Sequence, residues 1–280
     1  MKKIIITMLS TIILVSLAGC AGSRSDITVI SREEGSGTRG AFIELLGVEQ
    51  KNENGDKADN TTIDAIIANK TDVMLTQVKG NEYSIGYVSA GSLNNEVKAI
   101  KVDGVAPTSE NIESGKYKLS RPFHIAVKKN VSETAQDFID FMLSKEGQKV
   151  VSESYIAVSQ GEPFAGTKPS GKIVVAGSSS VTPIMEKLKE AYIKTNPNAD
   201  IEIQQSDSTS GMQAVIEGIC DIGMASRDLK ESELTSLTPI RIAIDGIAVI
   251  VNPANPVEDI TSEQARQIFT GEVTSWDEIG

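Results

Sequence analysis

Three short polar turns hold the residues best suited to chemistry. Ala176–Pro183 (AGSSSVTP), Ser206–Gly211 (SDSTSG) and Ser31–Gly40 (SREEGSGTRG) each follow a strand-like run and open a stretch of helical spacing. Each therefore sets hydroxyls and unpaired backbone N–H groups at a helix N-terminus, where the helix dipole favours an oxyanion. Arg32 adds a planar guanidinium that can grip two oxygens at once. One such turn is ordinarily a helix cap. Three in one chain, one of them with an arginine, point to a converging anion site.

The third turn also invites nucleotide readings, and each lacks its second requirement. Gly35–Gly40 fits G-x-G-x-x-G, but the acidic residue expected about twenty positions on, at the end of a second strand, is replaced by the polar loop Lys51–Asn60. A P-loop needs Lys-Ser/Thr where Ala41-Phe42 stands. No G-x-S-x-G elbow exists, and the single histidine, His124, lies in an apolar run that reads as a core strand. One histidine and one available cysteine do not make a standard zinc site. The expectation is a binding protein with no catalysis, cofactor or metal.

The elements that must position these turns alternate. Ile27–Ile30, Lys172–Val175 and Ile201–Ile203 read as strands. Ile184, Leu188, Ala191 and Tyr192 recur at helical spacing, as do Met212, Val215, Ile216 and Ile219. Phe138, Phe141 and Met142 mark one further amphipathic helix around Asp137–Val151. The pattern is α/β. Two longer apolar strands, Pro122–Val127 and Ile240–Asn252, are expected to cross between two lobes as hinges. Lys51–Asn60 reads as a surface loop, and the Gly/Pro-rich Gly161–Gly171 as a linker.

Composition narrows the partners. The 280 residues are 40% hydrophobic and 23% charged, enough for a packed core, and carry a net charge of -11. That charge argues against nucleic acid and would repel an anion at long range, so local dipoles must hold an anionic ligand. Lys2 and Lys3 precede the apolar stretch Ile4–Leu17, too short for a comfortable bilayer span, which ends in Leu17-Ala18-Gly19-Cys20. This resembles a bacterial lipobox, implying cleavage before Cys20 and lipid on its sulfur. Cys220 is then the only cysteine left to the fold, so no intramolecular disulfide is available.

Across nearly the whole mature chain the sequence resembles the phosphate-binding component of the bacterial phosphate ABC transporter. The resemblance is carried by Ile30–Gly40 (ISREEGSGTRG), Ile85–Ser89 (IGYVS), Phe141–Lys149 (FMLSKEGQK), Cys220–Lys230 (CDIGMASRDLK), Ala243–Pro256 (AIDGIAVIVNPANP) and Gln267–Gly280 (QIFTGEVTSWDEIG). The order departs from the family's usual one. There the block like Lys172–Gly280 comes first and the block like Ile27–Ser159 follows. The chain therefore reads as a circular permutant joined through Gly161–Gly171, with engineering the favoured origin.

The resemblance implies a two-lobed type II periplasmic-binding fold. One lobe would be residues 25–120 plus 244–280, and the other 121–243, which contains the linker. The protein would be a lipid-anchored, extracytoplasmic monomer that hands inorganic phosphate to an ABC permease. Family roles fall on Ser179 and Ser180, on Ser208 and Thr209, and on Arg32, Ser36, Gly37 and Thr38. Glu34 would orient Arg32. Ser226 stands where some members carry an aspartate that accepts the phosphate proton, so Asp207 is expected to supply the acceptor, with Asp228 in reserve. The rival readings are another tetrahedral oxyanion, sulfate or molybdate, and a secreted phosphatase.

Overall fold

The computed structural model describes residues 25–51 and 57–279. Cys20 and the expected signal peptide, residues 1–20, lie outside the described residues. The first part of the chain forms β1 (Thr28–Arg32), α1 (Gly37–Leu45), β2 (Glu49–Lys51), β3 (Lys57–Asp59), β4 (Ile66–Ala68), α2 (Thr71–Gly80), β5 (Ser84–Ser89), β6 (Lys98–Ala99), β7 (Lys101–Val102) and α3 (Ser109–Glu113). Next come β8 (Ser120–Val127), α4 (Glu133–Leu143), α5 (Lys145–Val151), β9 (Gly171–Ser178), α6 (Thr182–Thr195), β10 (Ala199–Ser206), α7 (Ser208–Glu217), β11 (Ile222–Ala225) and α8 (Glu231–Leu234). The long β12 (Thr238–Val251), β13 (Asp259–Ile260) and α9 (Ser262–Thr270) follow.

The main sheet runs β10-β9-β11-β8-β12-β5-β1-β4, with β6 also paired to β12. Its two halves are the sheets of two lobes, joined by β12. The first part of β12 pairs antiparallel with β8 up to Gly246, opposite Ser120, and Ile247–Val251 then pair with β5. Strand Ile240–Asn252 of the sequence reading thus crosses between the lobes. Pro122–Val127 itself lies in one lobe, between β11 and β12, and the chain crosses just ahead of it, between Leu119 in one core and Phe123 in the other. Each lobe has its own core. One gathers Phe123, Phe138, Val175, Leu188 and Ile222, and the other Phe42, Tyr87, Tyr117, Val249 and Phe269. Phe42 stacks on Tyr87 at 3.9 Å and meets Phe269 edge-on at 4.7 Å. Burying each such ring contributes about 1.5–3 kcal/mol.

The two ends of the described chain meet. Ile27 N–H donates to Thr274 O at 2.8 Å and Trp276 N–H to Ser25 O at 2.9 Å, with Asp26 opposite Ser275.

Three local expectations change. Lys51–Asn60 is not simply a loop, because β2 and β3 pair antiparallel around it, and Lys57 Nζ ion-pairs Glu49 at 2.7 Å. The helix expected around Asp137–Val151 is two helices. Ser144 breaks it by donating to Phe141 O at 2.7 Å and capping α5 through the Gly147 N–H. Gly161–Gly171 has no helix or strand before Gly171, yet it is tacked to its lobe: Phe164 packs edge-on against Phe141, and Thr167 N–H donates to Asp137.

Candidate functional site

All three turns recognised in the sequence end strands of the main sheet and open helices. β1 leads into α1, β9 into α6 and β10 into α7. The sheet order brings their helix N-termini to one seam between the lobes.

Arg32, the last residue of β1, is 2% exposed. Its Nη2 donates to Ser179 Oγ of the other lobe at 3.0 Å. Its Nε and Nη2 also bond both oxygens of Glu33 at 2.7 Å, and Nε reaches Ala68 O at 3.2 Å. The guanidinium is therefore held from two sides. Glu33 does the orienting, which corrects the assignment of that role to Glu34. β1 ends at Arg32, Glu33 folds back to form a two-point pair, and Glu34 falls in the following turn, facing solvent.

α1 begins under an N-cap from Ser36, whose Oγ accepts the Arg39 N–H at 3.3 Å. The amides of Gly37 and Thr38 are then first-turn donors without intrahelical acceptors. Thr38 Oγ1 lies 2.8 Å from Ser180 Oγ across the seam. Gly37 must lack a side chain: a Cβ there would sit 2.4 Å from Ser208 Oγ and 2.8 Å from Ser226 Oγ. Gly177, at φ +134, likewise lets β9 turn past Met224, whose carbonyl oxygen a Cβ would meet at 2.4 Å.

Opposite α1 lies a nest of serines. Ser178 Oγ donates to Ser226 Oγ at 3.0 Å, and Ser208 Oγ accepts the Ser226 N–H at 3.1 Å. Ser179, Ser180, Ser208 and Ser226 are each 1% exposed or less. These hydroxyls can each donate to an anion while accepting from a neighbour, so the cluster reorganises its protons around a charged guest at little cost.

The remaining expected residues stand at the rim. Asp207 is the N-cap of α7, accepting from the Ser210 N–H at 2.9 Å and from its hydroxyl, beside Gly35. Its carboxylate caps α7 and bonds none of the buried serine hydroxyls. Thr209 N–H donates to Gly35 O at 3.2 Å, and its hydroxyl accepts from Arg227 at 3.2 Å, which makes it a seam contact. Asp228 has a side chain 78% exposed, 3.9 Å from His124 Nδ1. Burial holds the His124 imidazole below its usual pKa. Cys220 is buried, and desolvation pushes its thiol up to about 11, as befits a small core residue.

Two features were missed in the sequence. Arg121 and Asp245 face each other in the β8–β12 register and form a fully buried pair at 3.1 Å. Arg121 Nη1 also donates to Ser226 O at 2.9 Å, tying this pair to the serine nest, and Asp245 accepts from Ser89 Oγ at 2.8 Å. Thr71 is the other. It is 3% exposed, and its hydroxyl is 3.3 Å from Ser179 Oγ and 3.5 Å from Ser180 Oγ. Nothing in its local sequence, Ile66–Thr71 (IIANKT), carries the Gly/Ser signature of the other turns.

The chain is similar to several known proteins. The PBP superfamily domain matches residues 17–146 and 162–280. A Streptococcus agalactiae protein named Phosphate-binding protein PstS 2 is 51% identical over 271 residues, 94% of this chain and 92% of its own length. A crystal structure of a phosphate ABC transporter phosphate-binding protein from Streptococcus pneumoniae superposes with a TM-score of 0.72 at 45% identity, over 91% of this chain and all of that one. The Bacillus subtilis protein named Phosphate-binding protein PstS, by contrast, aligns over only 40% of this chain, at 34% identity. The S. agalactiae alignment runs through nearly the full length of both chains, so this block order exists in a natural protein and the expectation of an engineered origin is dropped. The chain is a member of the PBP superfamily, in the family of phosphate-binding proteins that these streptococcal relatives represent.

Proposed function

We propose that this chain captures inorganic phosphate outside the cytoplasmic membrane and delivers it to the permease of an ABC importer, held at the membrane by lipid on Cys20. The observation that carries the reading is the seam itself: Arg32 and Thr38 of one lobe meet Ser179 and Ser180 of the other through direct, buried hydrogen bonds. An anion bound among these groups contacts both lobes at once, which favours the closed arrangement. The ligand-binding set is Arg32, Ser36, Gly37, Thr38, Ser179, Ser180, Ser208 and Ser226, with Asp207 and Thr209 shaping the rim. The charge of Arg32 is balanced by Glu33. Hydroxyls, first-turn amides and helix dipoles therefore carry the anion, as a net charge of -11 requires. The chain acts by binding, as a monomer and without catalysis.

The lobe boundaries near residues 120 and 244 are supported by the two cores, which divide there. We also read the block order as a natural circular permutation. The pairing of residues 25–27 with 274–276 supports this, since the point where the usual order would be continuous is bridged by hydrogen bonds.

Calorimetric titration of residues 21–280, stripped of bound ligand, tests the proposal. Tight binding of phosphate is expected, and a folded protein giving no phosphate heat refutes it. Sulfate is the second reading, favoured by one observation. Among the described residues, no carboxylate bonds directly to Thr38, Ser178, Ser179, Ser180, Ser208 or Ser226. Hydrogen phosphate brings a proton needing an acceptor and sulfate does not, so a sulfate affinity equal to that for phosphate would assign the site to tetrahedral oxyanions in general.

A further inference from the structure

A fourth strand–turn–helix unit enters the seam without any glycine or serine in its turn. β4 ends at Ala68, whose carbonyl oxygen accepts from Arg32 Nε at 3.2 Å, and α2 opens three residues later at Thr71. The N-cap residue, Lys70, is extended and makes no side-chain cap, so the first amides of α2 have neither an intrahelical nor a capping partner. The same short turn thus positions the arginine and presents a buried hydroxyl beside it.

That hydroxyl is held loosely. Oxygen–oxygen separations of 3.3 and 3.5 Å to Ser179 and Ser180 exceed the usual O–H···O range of about 2.5–3.0 Å, so neither serine fixes its proton. The two serines make shorter bonds elsewhere, Ser179 to Arg32 at 3.0 Å and Ser180 to Thr38 at 2.8 Å. Thr71 Oγ1 therefore stands against the same two serines as the two anion-binding residues already assigned from its own lobe. It also lies, with Ser179, Thr182 and Gln205, along a groove of about 360 Å³ that leads to the seam.

We propose that Thr71 is a further phosphate-binding residue, donating its Oγ1 proton to a phosphate oxygen from α2. The inference rests on the phosphate reading above. A hydrogen bond to a charged acceptor is worth enough that its loss weakens binding about tenfold or more.

The test is calorimetric titration of the mature chain with inorganic phosphate, comparing T71V, T71S and R32A, with thermal melts in the absence of phosphate. T71V keeps the shape and removes the hydroxyl, and is expected to bind about tenfold more weakly. T71S keeps the hydroxyl and is expected to stay within about threefold of wild type. If T71V binds like wild type while R32A does not, the role of Thr71 is overturned and the site reading stands. If R32A binds phosphate like wild type, the site reading falls and this inference falls with it. Should T71V fail to fold, T71S against T71A decides: equal affinities overturn the proposal, and tighter binding by T71S upholds it.

Discussion

Arg32 and Ser179 are 147 positions apart in the chain and meet at 3.0 Å across the seam, each inaccessible to solvent. A second interlobe bond, Thr38 Oγ1 to Ser180 Oγ at 2.8 Å, lies beside it. Arg32 is fixed from behind by Glu33 and Ala68, and Ser179 sits in the turn that opens α6.

Arg32→Lys is expected to weaken phosphate binding by at least tenfold, because an ammonium cannot bond Glu33, Ala68 and an anion with one planar fork. Glu33→Gln should weaken binding by a smaller factor, and Glu34→Gln should leave it unchanged. Equal effects of the two glutamate variants in a titration series would show that the orienting role had been misassigned.

Gly37→Ala places a methyl within 2.4 Å of Ser208 Oγ and 2.8 Å of Ser226 Oγ. The clash exists only when the lobes are together. Phosphate affinity should therefore fall ten- to a hundredfold, while the melting temperature without phosphate changes little. Small-angle scattering with saturating phosphate should show a more open particle than wild type.

Asp207→Ala removes the cap of α7 and should cost about 1 kcal/mol of stability. Since Asp207 lies with Ser210 at the rim, phosphate affinity should stay within about threefold. Chemical denaturation and calorimetry on one preparation separate the two effects. A large loss of phosphate affinity, with sulfate now bound as well, would make Asp207 the proton acceptor.

The Arg121–Asp245 pair predicts a pH signature. Burial outweighs the attraction of Arg121 and pushes the Asp245 carboxyl up to about 6, against about 3.9 in the unfolded chain. The folded state therefore holds this proton more tightly. The contribution is fully present below about pH 4 and is lost as pH rises towards 6. Asp245→Asn should remove that part of the slope from the stability–pH curve measured between pH 4 and 7. At pH 7 it should also destabilise the protein by about 3–5 kcal/mol, since Arg121 is left buried without its counter-charge. An unchanged slope would mean that Asp245 does not titrate in this window.

Much of this protein is legible from residue order. The turns at Ser31–Gly40, Ala176–Pro183 and Ser206–Gly211 announce themselves because cap residues and helical spacing act over a few neighbours, and no distant contact is needed to read them. β12 is legible for a similar reason: its last five residues, Ile247–Val251, are fully buried and must be continuously apolar. What tertiary structure alone decided is which groups meet. Glu33 rather than Glu34 holds Arg32 because of where β1 ends. Thr71 joins the site because β4 pairs beside β1, which directs α2 at the seam although IIANKT carries no anion-binding signature. Arg121 finds Asp245, 124 positions away, through the antiparallel register of β8 and β12. Capping and periodicity are local energies, written in adjacent residues. The convergence of four helix N-termini depends on sheet order and on two lobes packing face to face, and those are properties of the whole chain.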